Sequence, residues 1–310
     1  MSRVLVAGVE TVVGGNLAAT LAASHSVTGV WLSQPVTFSG CPIESQGASS
    51  PDAIRQLIER IQPNRIVLCG ASSHSGWGAL PEPGDADVEQ SAWWIDAARQ
   101  AQAHLTLVSS AAIFTGPWMF HSEGSRSVCP SQAATRVRDI ESNALSASPE
   151  TLVVRTHAFG WQPGGTPGWI ETLLSRLEQG SATGLDCFRH SSPILASDLA
   201  EIISRAWSAE LAGIYHIAGA ERANPVRFAR RLAHHFQLPV PESASTEFLL
   251  DRPSGYGCGE TSLQTRKIRR ALRESLPMLD EGLLRLFQQH VDGYRSRLTG
   301  HSPVPSTRVA

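Results

Sequence analysis

The stretch from Val4 to Asn16, "VLVAGVETVVGGN", constrains the fold more than any other part of the chain. A short apolar, β-branched run, "RVLVAGV" (3–9), meets a turn bounded by Gly8 and Gly14. The residues that follow, "GGNLAATLAAS" (14–24), put Leu17 and Leu21 on one face at helical spacing. A strand that turns through glycine straight into a helix is the opening unit of an α/β fold whose helix N-terminus receives a pyrophosphate. Such a turn wants small residues, so that backbone N–H groups can approach the phosphates. Gly8 and Gly14 supply two of three small positions; Thr11 stands at the third, with Glu10 beside it. Thr11 adds a branched side chain where close approach is needed, although its hydroxyl can donate a hydrogen bond. Glu10 brings negative charge within reach of the phosphates unless it turns away. Two readings stay open: Gly8, Thr11, Val12, Val13 and Gly14 hold a cofactor, or they form a tight turn that holds nothing.

The rest of the first half alternates in the same way. Strand-like runs at 26–32, 65–72, 105–114 and 151–160 are separated by helix-like runs at 50–62, 87–102 and 134–148. The first of these helices opens on Ser50 as N-cap with Pro51 at its first position. Strands separated by helices of this length predict a Rossmann-type, doubly wound parallel sheet. Ligands on such sheets lie beyond the carboxyl ends of the strands. Here those ends are the Gly8 turn, Ser33-Gln34, Gly70 to His74 (with Gly70, Ala71 and Ser72 toward a cofactor), Ser109-Ser110 and His157 to Gly160. Ser33-Gln34 supplies neither the acid that bonds a ribose hydroxyl nor an Arg for a 2′-phosphate, so it does not separate NAD from NADP. After a Gly/Pro/Trp loop at 160–169, further helices are expected at 169–180, 197–210, 224–238 and 281–298, with one more strand at 213–219.

Composition narrows the class of partner. With 310 residues, 42% of them hydrophobic, the chain can bury a large core. A net charge of −2 carries no electrostatic footprint for nucleic acid or an anionic membrane, and no run of apolar residues is long enough to span a bilayer. The five cysteines are scattered and form no CxxC pair, which predicts reduced thiols, no zinc site and a cytoplasmic protein. The His234-His235 pair has no third ligand at metal spacing, so no metal is expected.

Four further stretches, in order, make the pattern specific: "LVSSAAIFTG" (107–116), "ALSASPETLVVRTHAFG" (144–160), "HSSPILASDLAEII" (190–203) with "GIYHIAG" (213–219), and "RPSGYGCGETSLQTRKI" (252–268). Through them the chain resembles the extended short-chain dehydrogenase/reductase family, and within it the dTDP-4-dehydrorhamnose reductase-like, sugar-nucleotide-binding branch. The resemblance implies an NAD(P)-binding Rossmann domain of residues 1–160 that takes back 190–219. It implies a smaller C-terminal substrate domain of 161–189 and 220–298, with 299–310 as a loose tail. It also implies NAD or NADP as cofactor, a nucleotide sugar or other small molecule as substrate, and Ser110, His157, Ser192 and Arg252 on the substrate side. A homodimer or a protein partner is compatible with it.

Reductases of this family use a Tyr that passes a proton to the developing alkoxide, a Lys four residues later that supports it, and a Ser or Thr that holds the carbonyl oxygen. Ser110 keeps the last position. Aligning "PSQAATRVRDIESNAL" without a gap puts Ala134 at the Tyr and Arg138 at the Lys, where a guanidinium keeps positive charge for a ribose or phosphate in a different geometry. No other alignment rescues the pair: the three tyrosines are Tyr215, Tyr256 and Tyr294, and the only lysine is Lys267. Among substitute acids the sequence offers His74, His121 and His157, with Glu123 as a surface carboxylate. The expectation is a family member with a degenerate active site, binding a weakly held NAD(P) or a nucleotide sugar in a binding or regulatory role. The alternatives are an active reductase or epimerase with a substitute proton donor, and a scaffold without cofactor.

Overall fold

Apolar residues in the central strands serve two cores at once. Val4 and Val6 face one buried cluster while Leu5 and Ala7 face the other. Val67 and Val108 belong to the first, and Ile66, Leu68, Leu105 and Leu107 to the second. Side chains of a strand alternate between faces, so near-continuous apolar strands demand cover on both sides. A computed structural model of the chain shows that cover and describes residues 1–44, 50–78, 80–241 and 255–300.

In chain order the elements are β1 (Arg3–Ala7), α1 (Val12–Leu21), β2 (Ser26–Val30), β3 (Ile43–Glu44), α2 (Pro51–Ile61), β4 (Arg65–Leu68), α3 (Asp85–Gln100), β5 (His104–Ser110), α4 (Gln132–Ala147), β6 (Leu152–Thr156), β7 (Ala158–Phe159), α5 (Trp169–Glu178), β8 (Ile194–Leu195), α6 (Ala196–Ser208), β9 (Gly213–His216), α7 (Pro225–Phe236), α8 (Arg266–Leu272), α9 (Leu279–Val291) and α10 (Tyr294–Thr299). Seven strands form one sheet in the order β3-β2-β1-β4-β5-β6-β9, and every pairing is parallel. Helices α1 and α6 cover the face that carries Val4 and Val6; α2, α3 and α4 cover the other. This is the doubly wound α/β architecture the sequence predicts. The order reverses between β1 and β4, which opens a crevice at their carboxyl ends.

Local signals act as read for α2, where Ser50 accepts from the Ala53 N–H and Pro51 stands in the first turn. Two expected elements are divided. The strand read over 151–160 breaks at His157, and its second half, β7, leaves the main sheet to pair with β8. The helix read over 281–298 breaks at Asp292-Gly293, because Gly293 takes a left-handed φ of 73° that ends the helical path. The run at 105–114 stops as a strand at Ser110 and continues as a 3-10 turn, Ala111–Ile113.

Long-range polar contacts seat α1. Asn16 is fully buried; its amide donates to the Val12 carbonyl at 2.7 Å and to the Trp161 carbonyl at 2.8 Å. Tyr294 Oη, at the start of α10, donates to Asn16 Oδ1 at 3.1 Å. Among the described residues no helix is long and apolar enough to cross a membrane.

Candidate dinucleotide cleft and the sealed Ser110 site

The turn after β1 is closed by the residue that sequence reading treats as a defect. Gly8 adopts φ 93°, and a Cβ there would lie 2.1 Å from the Cys69 carbonyl oxygen; a Cβ at Gly14 would lie 2.0 Å from the Gly8 oxygen. The chain is thus folded tightly on itself at both glycines. Thr11 fits between them as the N-cap of α1: its hydroxyl donates to the Gly8 carbonyl at 2.8 Å and accepts from the Gly14 N–H at 2.9 Å. That leaves the amides of Val12 and Val13, the first two of the helix, without intrahelical partners and on the cleft wall. Thr11→Ala is expected to lower stability by about 1 kcal/mol, and Thr11→Ser to restore most of it; urea unfolding measures both.

Glu10 does not lie against the helix N-terminus unopposed. Its Oε1 accepts from the Leu32 N–H at 2.9 Å, the Ser33 N–H at 2.8 Å and Ser33 Oγ at 3.1 Å, all just past the end of β2. Its Oε2 is buried without a hydrogen-bond partner.

A cleft of about 850 Å³ runs along these strand ends. That is room for a large small-molecule ligand. It is lined by Glu10 to Val13, Leu32 to Val36, Gly70, Ala71, Ser73 to Trp77, the 162–169 loop, and Arg176, Asp186 and Arg189. The loop is braced by Glu171, which accepts from the Gln162 N–H at 2.8 Å and the Gly168 N–H at 3.0 Å, while Gln162 Nε2 donates to the Glu10 carbonyl at 2.8 Å. Arg189 donates to Asp186 at 2.5 Å, and Arg176 to the Thr183 carbonyl at 2.7 Å, so both guanidinium groups are steadied at the wall. Trp77 and Trp169 line the cleft with ring centroids 5.9 Å apart. Of the other tryptophans, Trp94 and Trp161 are core and Trp118 is exposed.

The cleft stops short of Ser110. Ser110 is 1% exposed and its hydroxyl caps the 3-10 turn by accepting from the Ala112 N–H at 3.1 Å. Ala134 is fully buried, in one cluster with Ala111, Ala112, Cys129 and Tyr256. Tyr256 comes from the late segment, 5% exposed; burial pushes its phenol pKa up, and the Ser110 hydroxyl beside it pulls back part of that rise. Its hydroxyl has no fully formed hydrogen bond. Leu80 packs on this cluster, and a Cβ on Gly257 would meet Leu80 at 2.6 Å. Tyr256 reaches Ser110 from the segment 252–268, and nothing in the local sequence ties that segment to β5.

The other expected site residues divide plainly. Thr11, Val12, Val13, Gly70 and Ala71 line the cleft, with Gly8 and Gly14 shaping its floor. Ser72 is buried and donates to the Val108 carbonyl at 3.0 Å, and Ser192 is buried and accepts from the Leu263 N–H at 3.2 Å; neither lines the cleft. Arg138 is exposed on α4 and is not brought to the cleft. Arg252 lies outside the described residues. His157 stands behind Trp77, ring centroids 4.9 Å apart, and burial, with Arg189 nearby, lowers its pKa to about 3. His121 donates from Nε2 to the Glu260 carbonyl at 2.9 Å, has Nδ1 3.1 Å from Ser125 Oγ and stacks on Phe114, which fixes it as a structural ring. Only His74 of the three lines the cleft, and burial lowers its pKa as well. Glu123 is tied inward: its carboxylate accepts from the His216 N–H at 3.2 Å, and its carbonyl accepts from Arg155 at 3.1 Å. Arg155 in turn forms a buried pair with Glu141, at 2.9 Å from Nε and 2.6 Å from Nη2, with Ser109 Oγ donating to the same carboxylate at 2.6 Å.

No curated protein sequence matches the chain. Solved structures do, at the level of fold. The dTDP-4-dehydrorhamnose reductase from Bacillus anthracis, in complex with NADP, aligns over 93% of this chain and 99% of its own at 15% identity and a TM-score of 0.75. A hypothetical dTDP-4-dehydrorhamnose reductase from Sulfolobus tokodaii aligns over 90% and 98% at 20% identity and 0.69. The UDP-glucose-4-epimerase from Stenotrophomonas maltophila, with bound NAD and formylated UDP-arabinopyranose, aligns over 94% and 100% at 12% identity and 0.70. Sequence carries the assignment further than these distant likenesses do: residues 2–290 match the family described as RmlD substrate binding domain, and the chain belongs to that family.

Proposed function

We propose that this protein binds a nicotinamide dinucleotide in the 850 Å³ cleft, alone or with a nucleotide sugar, and does not carry out hydride transfer. The observation that carries the second half is the sealing of Ser110. A reductase must bring a substrate carbonyl and a proton donor to this hydroxyl. Here Ser110 is 1% exposed, the position of the family tyrosine is a fully buried alanine, and the Tyr256 ring is packed into the same cluster. The first half is supported by the fit of the cleft. Two unpartnered first-turn amides, a helix N-terminus and a buried carboxylate oxygen without a partner match what a dinucleotide presents. When bound, the cofactor would supply hydride chemistry; the residues present bind and orient it but offer no placed acid. The protein's role is then that of a nucleotide-binding or regulatory member of the family, and its division into a cofactor domain and a substrate domain is part of this reading.

One observation favours a second reading. The Tyr256 hydroxyl stands beside Ser110, so a movement of residues 255–259 that opened this point would offer it as a relocated proton donor. Titration with NADH and NADPH separates the readings, because Trp77 and Trp169 line the cleft and report its occupation by fluorescence. Saturable quenching with no oxidation of NADH or NADPH on adding dTDP-4-dehydrorhamnose is the expected result. Turnover abolished by Tyr256→Phe would establish the second reading, and no quenching by either cofactor would leave the cleft without a dinucleotide.

A further inference from the structure

We propose that Glu10 reads the adenosine ribose and makes the cleft select NAD(H) over NADP(H). This assignment rests on the dinucleotide reading of the cleft. In doubly wound folds the choice between the two cofactors is made at the carboxyl end of β2, where an acid bonds the 2′-hydroxyl or an Arg meets the 2′-phosphate. The residues at that place in this chain, Leu32 to Val36, include neither.

The structure supplies the missing acid from a different strand end. Glu10 belongs to the turn after β1, yet its carboxylate spans to the end of β2 and is fixed there by three donors, the Leu32 N–H, the Ser33 N–H and Ser33 Oγ, all on Oε1. One carboxylate oxygen is thereby used up. The other, Oε2, is buried and has no partner, on a residue that lines the cleft. A buried carboxylate oxygen left without a donor is costly, and a ribose hydroxyl is a donor of the right kind. A 2′-phosphate in the same place would set two further negative charges against the carboxylate, with no hydrogen bond to give it. The cleft's cations do not relieve this: Arg176 and Arg189 enter from α5 and the loop that follows it, and both are engaged there.

The test is the pair of dissociation constants for NADH and NADPH, measured by calorimetry on the full chain and on Glu10→Gln. The glutamine keeps an oxygen for the Leu32 and Ser33 donors and removes the charge. Wild type is expected to bind NADH about thirtyfold more tightly than NADPH, and Glu10→Gln to bring the ratio to within about threefold, with NADPH gaining affinity. A wild-type ratio already within about threefold overturns the assignment without any variant. So does a strong preference for NADH that Glu10→Gln leaves unmoved. Binding of neither cofactor by the wild type is a different failure: it removes the dinucleotide reading of the cleft, and this assignment with it.

Discussion

Replacing Ala134 by tyrosine should lower stability by about 3 kcal/mol and restore no reductase activity, alone or together with Arg138→Lys. Restoring the family pair by sequence alone treats position 134 as a vacancy. The structure gives a fully buried alanine in a filled cluster with Tyr256, Cys129, Ala111 and Ala112. A second phenol there must displace side chains that already pack. Tyr256→Ala should therefore cost less in this background than it does in the wild type, with a coupling energy of about 2 kcal/mol between the two sites. Urea unfolding of the wild type, the two single variants and the double variant gives this number directly. Strictly additive effects would show that the Tyr256 ring does not occupy the space a tyrosine at 134 needs. The triple variant Ala134→Tyr, Arg138→Lys, Tyr256→Ala is the one in which reductase activity is worth seeking.

Acid should weaken the fold well before ordinary carboxylates titrate. His157 and His216 are buried, and burial, aided by Arg189 beside the first and Arg155 beside the second, lowers both pKa values to about 3. In the unfolded chain histidine takes a proton near pH 6.5. Between those values the unfolded state holds more protons, so the stabilisation is complete above about pH 6.5 and is lost as pH falls toward 3. From pH 7.5 to pH 5 each ring accounts for about 2 kcal/mol, or about 4 kcal/mol for the two and a fall in melting temperature of about 8 °C. Glu171 and Asp198, whose pKa values burial raises, oppose part of this, since the folded state takes up their protons first. Melting curves across this range on the wild type and on His216→Phe check the account. A melting temperature flat from pH 7.5 to 5, or one that falls equally in the variant, would refute it.

What the sequence made legible, and what it hid, follows from distance along the chain. The sheet, its parallel sense and most helices were readable because periodicity, Ser50-Pro51 capping and the Gly8 turn are local. The site was readable only where it is local too: Thr11 to Val13 and Gly70-Ala71 sit at strand ends and do line the cleft. Thr11 completes the turn instead of crowding it, and Glu10 is drawn away by amides at positions 32 and 33, a pairing no neighbouring residue announces. Tyr256 was invisible for the same reason: a search for a Tyr and a Lys four residues apart cannot find a ring delivered to Ser110 from 146 positions downstream.

The hydrogen bond between Asn16 and Tyr294 also bears on how the molecule is made. It joins residues 278 apart, on the first and the last of the described helices. The segment from β1 through α1 can form its turn early, but the buried amide of Asn16 gains its remaining partners only after Trp161 and then Tyr294 have been synthesised. The helix that opens on the cleft is thus fully seated only once α10 has been made. A growing chain or a truncated product would carry the glycine turn without the contacts that hold its helix in place.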